Sequence, residues 1–331
     1  MGKRSAGKAS LKDDDGASIG ERTRHIKNKI VRGQLYGKLR KKKDEAKKAE
    51  RKKRQKEREK ALELGIEPPP RPVQRTIDNT REPDETMVQP GDEEVAADEA
   101  EDEFAAHFRC ERPPNVLVTT SRKSTKATFQ FVSEVMELLP CATFCERRGY
   151  DLKDIVKFAN NRNFSDIIVF HEDRKKMQAM NLIHLPDGPT ARFRITNYAL
   201  SKDIKNCGRA TDHRPELILN GFNTRLGHRV GRMFASLFHQ DPEFKGRRAV
   251  TFHNQRDFIF VRHHRYVFEE RKQRVKGEKE REQVVRARMQ ELGPRLTLKL
   301  DSLQKGTFNS RHGEFEWYGA GVEASKKRFF L

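Results

Sequence analysis

Three arginines, Arg225, Arg229 and Arg232, recur at intervals of four and three residues. At about 100° per residue, that spacing gathers them on one side of a helix. Downstream, Lys245, Arg247, Arg248, Arg256, Arg262, His264 and Arg265 extend the cationic run over two strand-like stretches. A guanidinium stays charged and offers paired N–H donors that match a phosphate. Such residues, clustered without a spaced acid or nucleophile, suit the binding of a polyanion rather than covalent chemistry. A second anion-binding candidate lies upstream. The loop at 119–124, Thr-Thr-Ser-Arg-Lys-Ser, joins a strand-like run to the start of a helix. Backbone N–H groups at a helix N-terminus, with Arg122 and Lys123 beside them, favour an anion. The loop has no glycine and no Gly-Lys-Ser/Thr, so it is not a nucleotide-hydrolysing phosphate loop.

Catalysis has little support. A metal-dependent nuclease needs clustered carboxylates, whereas Asp166, Glu172, Asp173, Asp203 and Asp212 are scattered. His239, His253, His263 and His264 sit among arginines and phenylalanines, and neighbours such as His263 and His264 face opposite sides of a strand. The cysteines, Cys110, Cys141, Cys145 and Cys207, form no C-x-x-C pair and no zinc set. They read as reduced thiols. No cofactor, metal or small-molecule substrate is expected.

A net charge of +20 and a pI near 9.9 favour nucleic acid as the partner. With 34% hydrophobic residues in 331, one core cannot extend over the whole chain. The expectation is one folded domain between long polar extensions. No apolar run is long enough to span a membrane, and the first ten residues carry neither a secretory signal nor a convincing acylation site.

The elements that must position these residues follow from periodicity. Leu226, Val230, Met233, Phe234, Leu237 and Phe238 recur at helical spacing opposite the three arginines, which predicts a helix over 224–238. Strands are predicted at 217–219, 249–253 and 257–263, with a turn at Asn220-Gly221. Upstream, the domain opens at Pro113-Pro114 with a strand at 115–120 and a helix capped by Ser124 or Thr125. A strand at 142–146, a helix from Leu152 to Asn160 capped by Asp151 and the apolar strand 166–170 follow. Alternating runs at 180–185 and 191–198 flank Pro186-Asp187-Gly188-Pro189 as a hairpin. Composition predicts a helix over 269–292, stopped by Gly293-Pro294, and a last strand at 296–300.

The extensions differ. Residues 38–60 hold about fourteen basic and five acidic residues and predict a solvated helix with i,i+4 pairs, whose clusters at 40–43 and 51–54 read as nuclear-import or RNA-contacting. Residues 82–103 hold about eleven acidic residues and no Lys or Arg. That run either screens a basic surface, binds a basic protein, or serves as a linker; Phe104 and Phe108 at its end are placed to pack on the domain. Residues 304–331 carry the only Trp, Trp317, which stacks on a base, anchors a partner or folds back.

Two stretches carry a resemblance. The sequence AVTFHNQRDFIFVRHHRYVF at 249–268, after its basic helix, and the TTSR start at 119–122 resemble the Brix domain. The flanking segments resemble the family's large-subunit branch. The resemblance implies an α/β fold of two similar halves, a mixed sheet with packed helices akin to a class II synthetase anticodon-binding domain, with long charged helical or disordered tails. On that reading 1–112 is a charged extension, 113–303 the domain, with halves at about 113–200 and 215–303, and 304–331 a tail. It also implies a non-enzymatic nucleolar assembly factor that binds large-subunit pre-rRNA in the pre-60S particle, with a dedicated nucleolar partner and ribosomal proteins. RNA contacts in the family are ascribed to the basic C-terminal half.

Overall fold

The computed structural model describes residues 19–64, 73–74, 76–82, 84–274, 281–309, 313–319 and 328–331. The first ten residues, the prolines at 68–70 and the basic pair at 326–327 lie outside the described residues. The chain forms two compact units, Met1–Arg75 and Thr76–Leu331.

The first unit holds a short helix α1 (Ile19–Arg24) and the long helix α2 (Lys29–Glu63). Asn28 starts α2: its Oδ1 accepts from the Ile30 N–H at 3.0 Å, satisfying a donor that the helix itself cannot. Along α2 the i,i+4 pair of Arg54 with Glu50, at 2.6 Å, is exposed, as the composition predicts for a solvated helix. Ile30 and Val31 are exposed too.

The second unit begins with α3 (Glu93–Glu101) and α4 (Ala105–Phe108). It therefore takes in residues 76–112, which the sequence assigned to the extension. Phe104 explains why: it is fully buried, with its ring 4.6 Å from that of His184.

Beyond α4 lies one large mixed sheet. Its strands are β1 (Val116–Thr120), β2 (Ala142–Phe144), β3 (Asp166–Asp173), β4 (Lys176–His184), β5 (Thr190–Ala199), β6 (Glu216–Asn220), β7 (Arg248–Gln255), β8 (Phe258–Arg274), β9 (Arg281–Glu291), β10 (Arg295–Gln304) and β11 (Phe315–Tyr318). The helices α5 (Lys126–Leu138), α6 (Leu152–Asn161) and α7 (Arg225–Ala235) pack on it. The strand order is β2-β1-β3-β4-β5-β10-β8-β7-β6. From one end, β1 and β3 are parallel, then β4 and β5 alternate. From the other end, β6 and β7 are parallel, then β8 and β10 alternate. Two halves, each a parallel strand pair joined through helix and continued by antiparallel strands, therefore meet where β5 pairs with β10. The strand predicted at 296–300 is this central β10.

The front of the sheet carries α5 and α7 over one core. Phe131 and Val135 of α5 and Val230, Met233 and Phe234 of α7 are buried there. Phe234 stacks on Phe252 with centroids 4.5 Å apart and lies 5.1 Å from Phe193, so strands of both halves share one aromatic cluster. Each such side chain stabilises by roughly 1.5–3 kcal/mol on burial. At the turn from β6 towards α7, Gly221 has φ +82, and a Cβ there would collide with the Asn254 carbonyl. Thr224 then caps α7, its Oγ1 accepting from the Gly227 N–H at 2.9 Å.

The back of the sheet differs between halves. In the N-terminal half, α6 covers it through Leu152, Ile155, Val156 and Ala159, packed on Leu117, Ile167, Val169 and Ile183. In the C-terminal half, among the described residues, no helix of this unit contributes to a core on that side.

The helix predicted over 269–292 does not form. β8 runs on beyond its pairing with β7, which ends at Arg265, and pairs with β9 as far as Arg274. At about 3.4 Å per residue the two-stranded arm extends roughly 30 Å. Helix-favouring residues lose here to non-local pairing: Tyr266, Val267 and Phe268 continue a β pattern with no turn signal, and Glu269 meets Arg288 across the ribbon at 3.0 Å. The alternation makes the arm two-faced. Tyr266, Phe268, Val285, Ala287 and Met289 share one side, and Phe268, Val285 and Met289 are exposed.

Candidate nucleic-acid interface

The basic face of α7 forms as predicted, but the chain's own carboxylates occupy it. Arg225 pairs with Glu94 at 2.9 Å. Arg229 makes a bidentate pair with Glu103 at 2.6 and 3.1 Å and reaches Glu316 at 3.2 Å. Burial works against its charge, yet those two carboxylates raise its pKa further above the ordinary value. Arg232 grips Asp102 at 2.6 and 2.7 Å and stacks over Phe108. Of the roles left open for the acidic run, the geometry favours contact with a basic surface of the same chain.

The anion site expected at the N-terminus of α5 is similarly filled. Glu172 Oε2 accepts from the Thr125 N–H at 2.7 Å and from Thr128 Oγ1 at 2.6 Å, so a carboxylate already sits at the N-terminus of α5. Burial would raise the Glu172 pKa, but these hydrogen bonds hold it below the usual carboxylate range. Arg122 is paired with Asp151 at 2.5 Å, and Lys123 is exposed in a left-handed conformation.

Arg248 requires a correction, because it is only 2% exposed and cannot meet a phosphate. Its guanidinium donates to the carbonyls of Thr211, His213 and Glu137 and to His263 Nε2 at 3.1 Å. It fastens the 211–213 loop and the end of α5 to β8. Burial pushes the His263 pKa down to about 4. The ring is therefore neutral, with Nε2 accepting and Nδ1 donating to Gly293 O at 3.0 Å. Sequence spacing does not show burial, so this arginine reads like its exposed neighbours. Lys245, Arg247, Arg256 and Arg265 are exposed at turns and at the base of the arm.

Arg262 and His264 have a different setting. Their register partners show that they lie on the open back of the C-terminal half. Thr251 pairs with Arg262, and His253 with Phe260. Phe260 pairs with Thr297, and Phe258 with Lys299. Lys299 pairs with Arg194. The row therefore crosses from one half into the other and includes Arg192 on β5. Lys299 Nζ lies 5.4 Å from the ring centre of Phe258, and the Arg262 guanidinium 5.7 Å from that of Phe260. One carboxylate, Asp301, serves both Arg192 at 3.5 Å and Arg194 at 2.9 Å. Burial lowers the pKa of His264, so this ring adds a polar edge rather than a charge. Cations beside partly exposed rings on an open sheet can hold phosphates and stack bases together.

Catalytic geometry is not assembled alongside. Asp166 is buried against His184 at 2.6 Å, and Glu172 caps α5. Among the described residues, no three His, Cys, Asp or Glu side chains converge as metal ligands. No helix described is long and apolar enough to cross a membrane.

The Brix domain family model matches residues 121–302. The chain belongs to the Brix family. It is 48% identical over 262 residues to ribosome production factor 1 of Xenopus laevis, covering 78% of this chain and 73% of that protein. A Brix domain-containing protein of Schizosaccharomyces pombe is 42% identical over 310 residues, 92% of this chain and 99% of the relative. Among solved structures, a probable ribosomal biogenesis protein from Aeropyrum pernix aligns at 17% identity with a TM-score of 0.41, covering 56% of this chain and 96% of that one.

On this Brix sheet, sequence reasoning missed Arg192, Arg194, Lys299, Phe258 and Phe260. A signal was available: residues 191–196, Ala-Arg-Phe-Arg-Ile-Thr, alternate in a way that puts both arginines on one face. Their neighbour β10 joins them only through long-range pairing.

Proposed function

We propose that this Brix-family ribosome biogenesis factor is a non-catalytic RNA-binding protein of the nucleus and nucleolus. It holds large-subunit pre-rRNA in the pre-60S particle and supports its processing. The observation that carries this reading is the open back of the sheet, where Arg192, Arg194, Lys299 and Arg262 surround Phe258 and Phe260. Phosphates lie against the cations, and unpaired bases stack on the rings. Phosphate contacts carry little sequence information, so the choice of site comes from RNA shape and from neighbouring proteins, a dedicated assembly partner and ribosomal proteins among them. The arginines of α7 hold the acidic segment instead and are left out of the contact.

In-cell ultraviolet crosslinking with mapped peptides tests this. Crosslinks at 192–194, 258–264 and 299 to large-subunit pre-rRNA are expected. Crosslinks confined to α2 would remove the sheet from the RNA interface.

A second reading, a scaffold whose main contacts are with protein, draws on the exposed apolar side of the arm, with Phe268, Val285 and Met289. It requires that RNA affinity barely respond to salt.

A further inference from the structure

On the back of the N-terminal half, a cavity of about 320 Å³ opens between α6 and β1. Ile155 and Ala159 form an apolar wall, and Thr119 lies within the lining. At the mouth stand Tyr150 and Phe158, edge to face with ring centres 5.6 Å apart and each about half exposed. Arg147 lines the mouth as well, its Nε donating to the Tyr150 carbonyl at 3.0 Å.

Two observations suggest a ligand. Thr119 is 1% exposed, yet its Oγ1 has no hydrogen-bond partner. Buried polar atoms are nearly always paired, because an unpaired one loses its hydration without replacement. The unpaired atoms also continue along the sheet. In register, Thr119 neighbours Val169, Val169 neighbours Asn181, and Asn181 neighbours Arg192. Asn181 Oδ1 and, on the same face, His171 Nε2 are likewise buried without a partner. On the back face the unpaired Thr119 and Asn181 thus flank Val169, and Asn181 borders Arg192 of the basic platform. Arg147 fits the same picture: burial and the nearby Arg122 guanidinium lower its pKa against the pull of Asp151, and an anion beside this still-charged guanidinium would offset that cost.

We propose that the cavity takes a single unpaired nucleotide of the RNA held on the platform. Its base lies against Ile155 and the Tyr150–Phe158 pair, a polar edge of the base meets Thr119 Oγ1, and its phosphate meets Arg147. The chemistry required is a planar ring with a hydrogen-bonding edge and an attached anion, which a nucleotide supplies and an apolar peptide side chain does not. This inference rests on the RNA-binding reading.

The test uses the full chain and a short single-stranded RNA whose adenines are replaced by 2-aminopurine. Tyr150→Ala with Phe158→Ala changes two exposed rings and is expected to weaken binding about tenfold or more. The fluorescence change seen on saturation is expected to disappear. Thr119→Val keeps the side chain's shape and is expected to weaken binding severalfold. Unchanged affinity and fluorescence in all these variants, with RNA still bound by the unaltered chain, would overturn the cavity proposal and leave the platform standing. No binding by the unaltered chain would overturn both. As an independent arm, a photo-crosslinking amino acid at position 158 in cells should attach to RNA; attachment to protein instead would refute the nucleotide assignment.

Discussion

The two halves of the sheet share a plan, a parallel strand pair joined through helix and continued by antiparallel strands, but their backs are used differently. In the N-terminal half the chain between β1 and β3 supplies α6, and Ile167, Val169 and Ile183 become core beneath it. In the C-terminal half the chain between α7 and β7 supplies only a single 3-10 turn at Phe244–Gly246. The corresponding face is left to Arg262, Phe260 and Thr251. One inserted helix thus decides whether a sheet face is packed or presented. The front shows the converse. Basic residues on α7 that look free in sequence are neutralised by an acidic segment more than a hundred residues upstream.

The largest expected effect separates the two backs directly. Ile167→Ala, beneath α6, should cost about 2–5 kcal/mol of stability. Phe258→Ala, on the open half, should cost no more than ~1 kcal/mol while weakening RNA binding. Denaturant unfolding of the two variants measures this, and equal losses would mean that both faces are core.

A second effect comes from histidines. Burial pushes His171, on the covered back, and His263, beside Arg248, each down to about 4 from 6.5. Above pH ~6.5 both are neutral whether folded or unfolded. As pH falls through the window from 6.5 to about 4, the unfolded chain takes up protons that the folded chain refuses. Stability therefore falls, each histidine contributing up to ~1.4 kcal/mol per pH unit. Thermal unfolding at several pH values should show a shallower slope for His171→Asn than for the unaltered chain. An unchanged slope would mean that this ring titrates normally.

The smallest effect on stability should bring the clearest effect on binding. Arg192→Ala with Arg194→Ala should leave unfolding within ~0.5 kcal/mol. RNA affinity should drop about tenfold, and the slope of affinity against salt should decrease by ~0.7 for each lost phosphate contact. A titration over salt concentration checks it, and an unchanged slope would favour the scaffold reading.

Much of the fold was legible because local periodicity and burial agree. The apolar run at 166–170 became a buried strand, and the helical spacing of Val230, Met233 and Phe234 became the α7 core. The arm was not legible, since Glu, Arg, Gln and Ala at 269–292 favour a helix unless a partner strand is already extended beside them. Arg248 and the α7 arginines were read correctly as cations. Their use depends on carbonyls and carboxylates that only the folded chain brings near. Arg192, Arg194 and Lys299 form a patch only because β5 and β10 pair across about a hundred residues.

That pairing also sets an order of assembly. All five strands of the N-terminal half are complete once residue 199 has been made, so they can pair while synthesis continues. The C-terminal half must wait for residues 295–304, which form its inner strand and the seam. The platform that straddles the seam therefore comes into being last, and a chain stopped short of β10 would have no such surface to offer. Closing so long a loop is entropically slow, so the surface proposed to meet RNA is a late product of the finished chain.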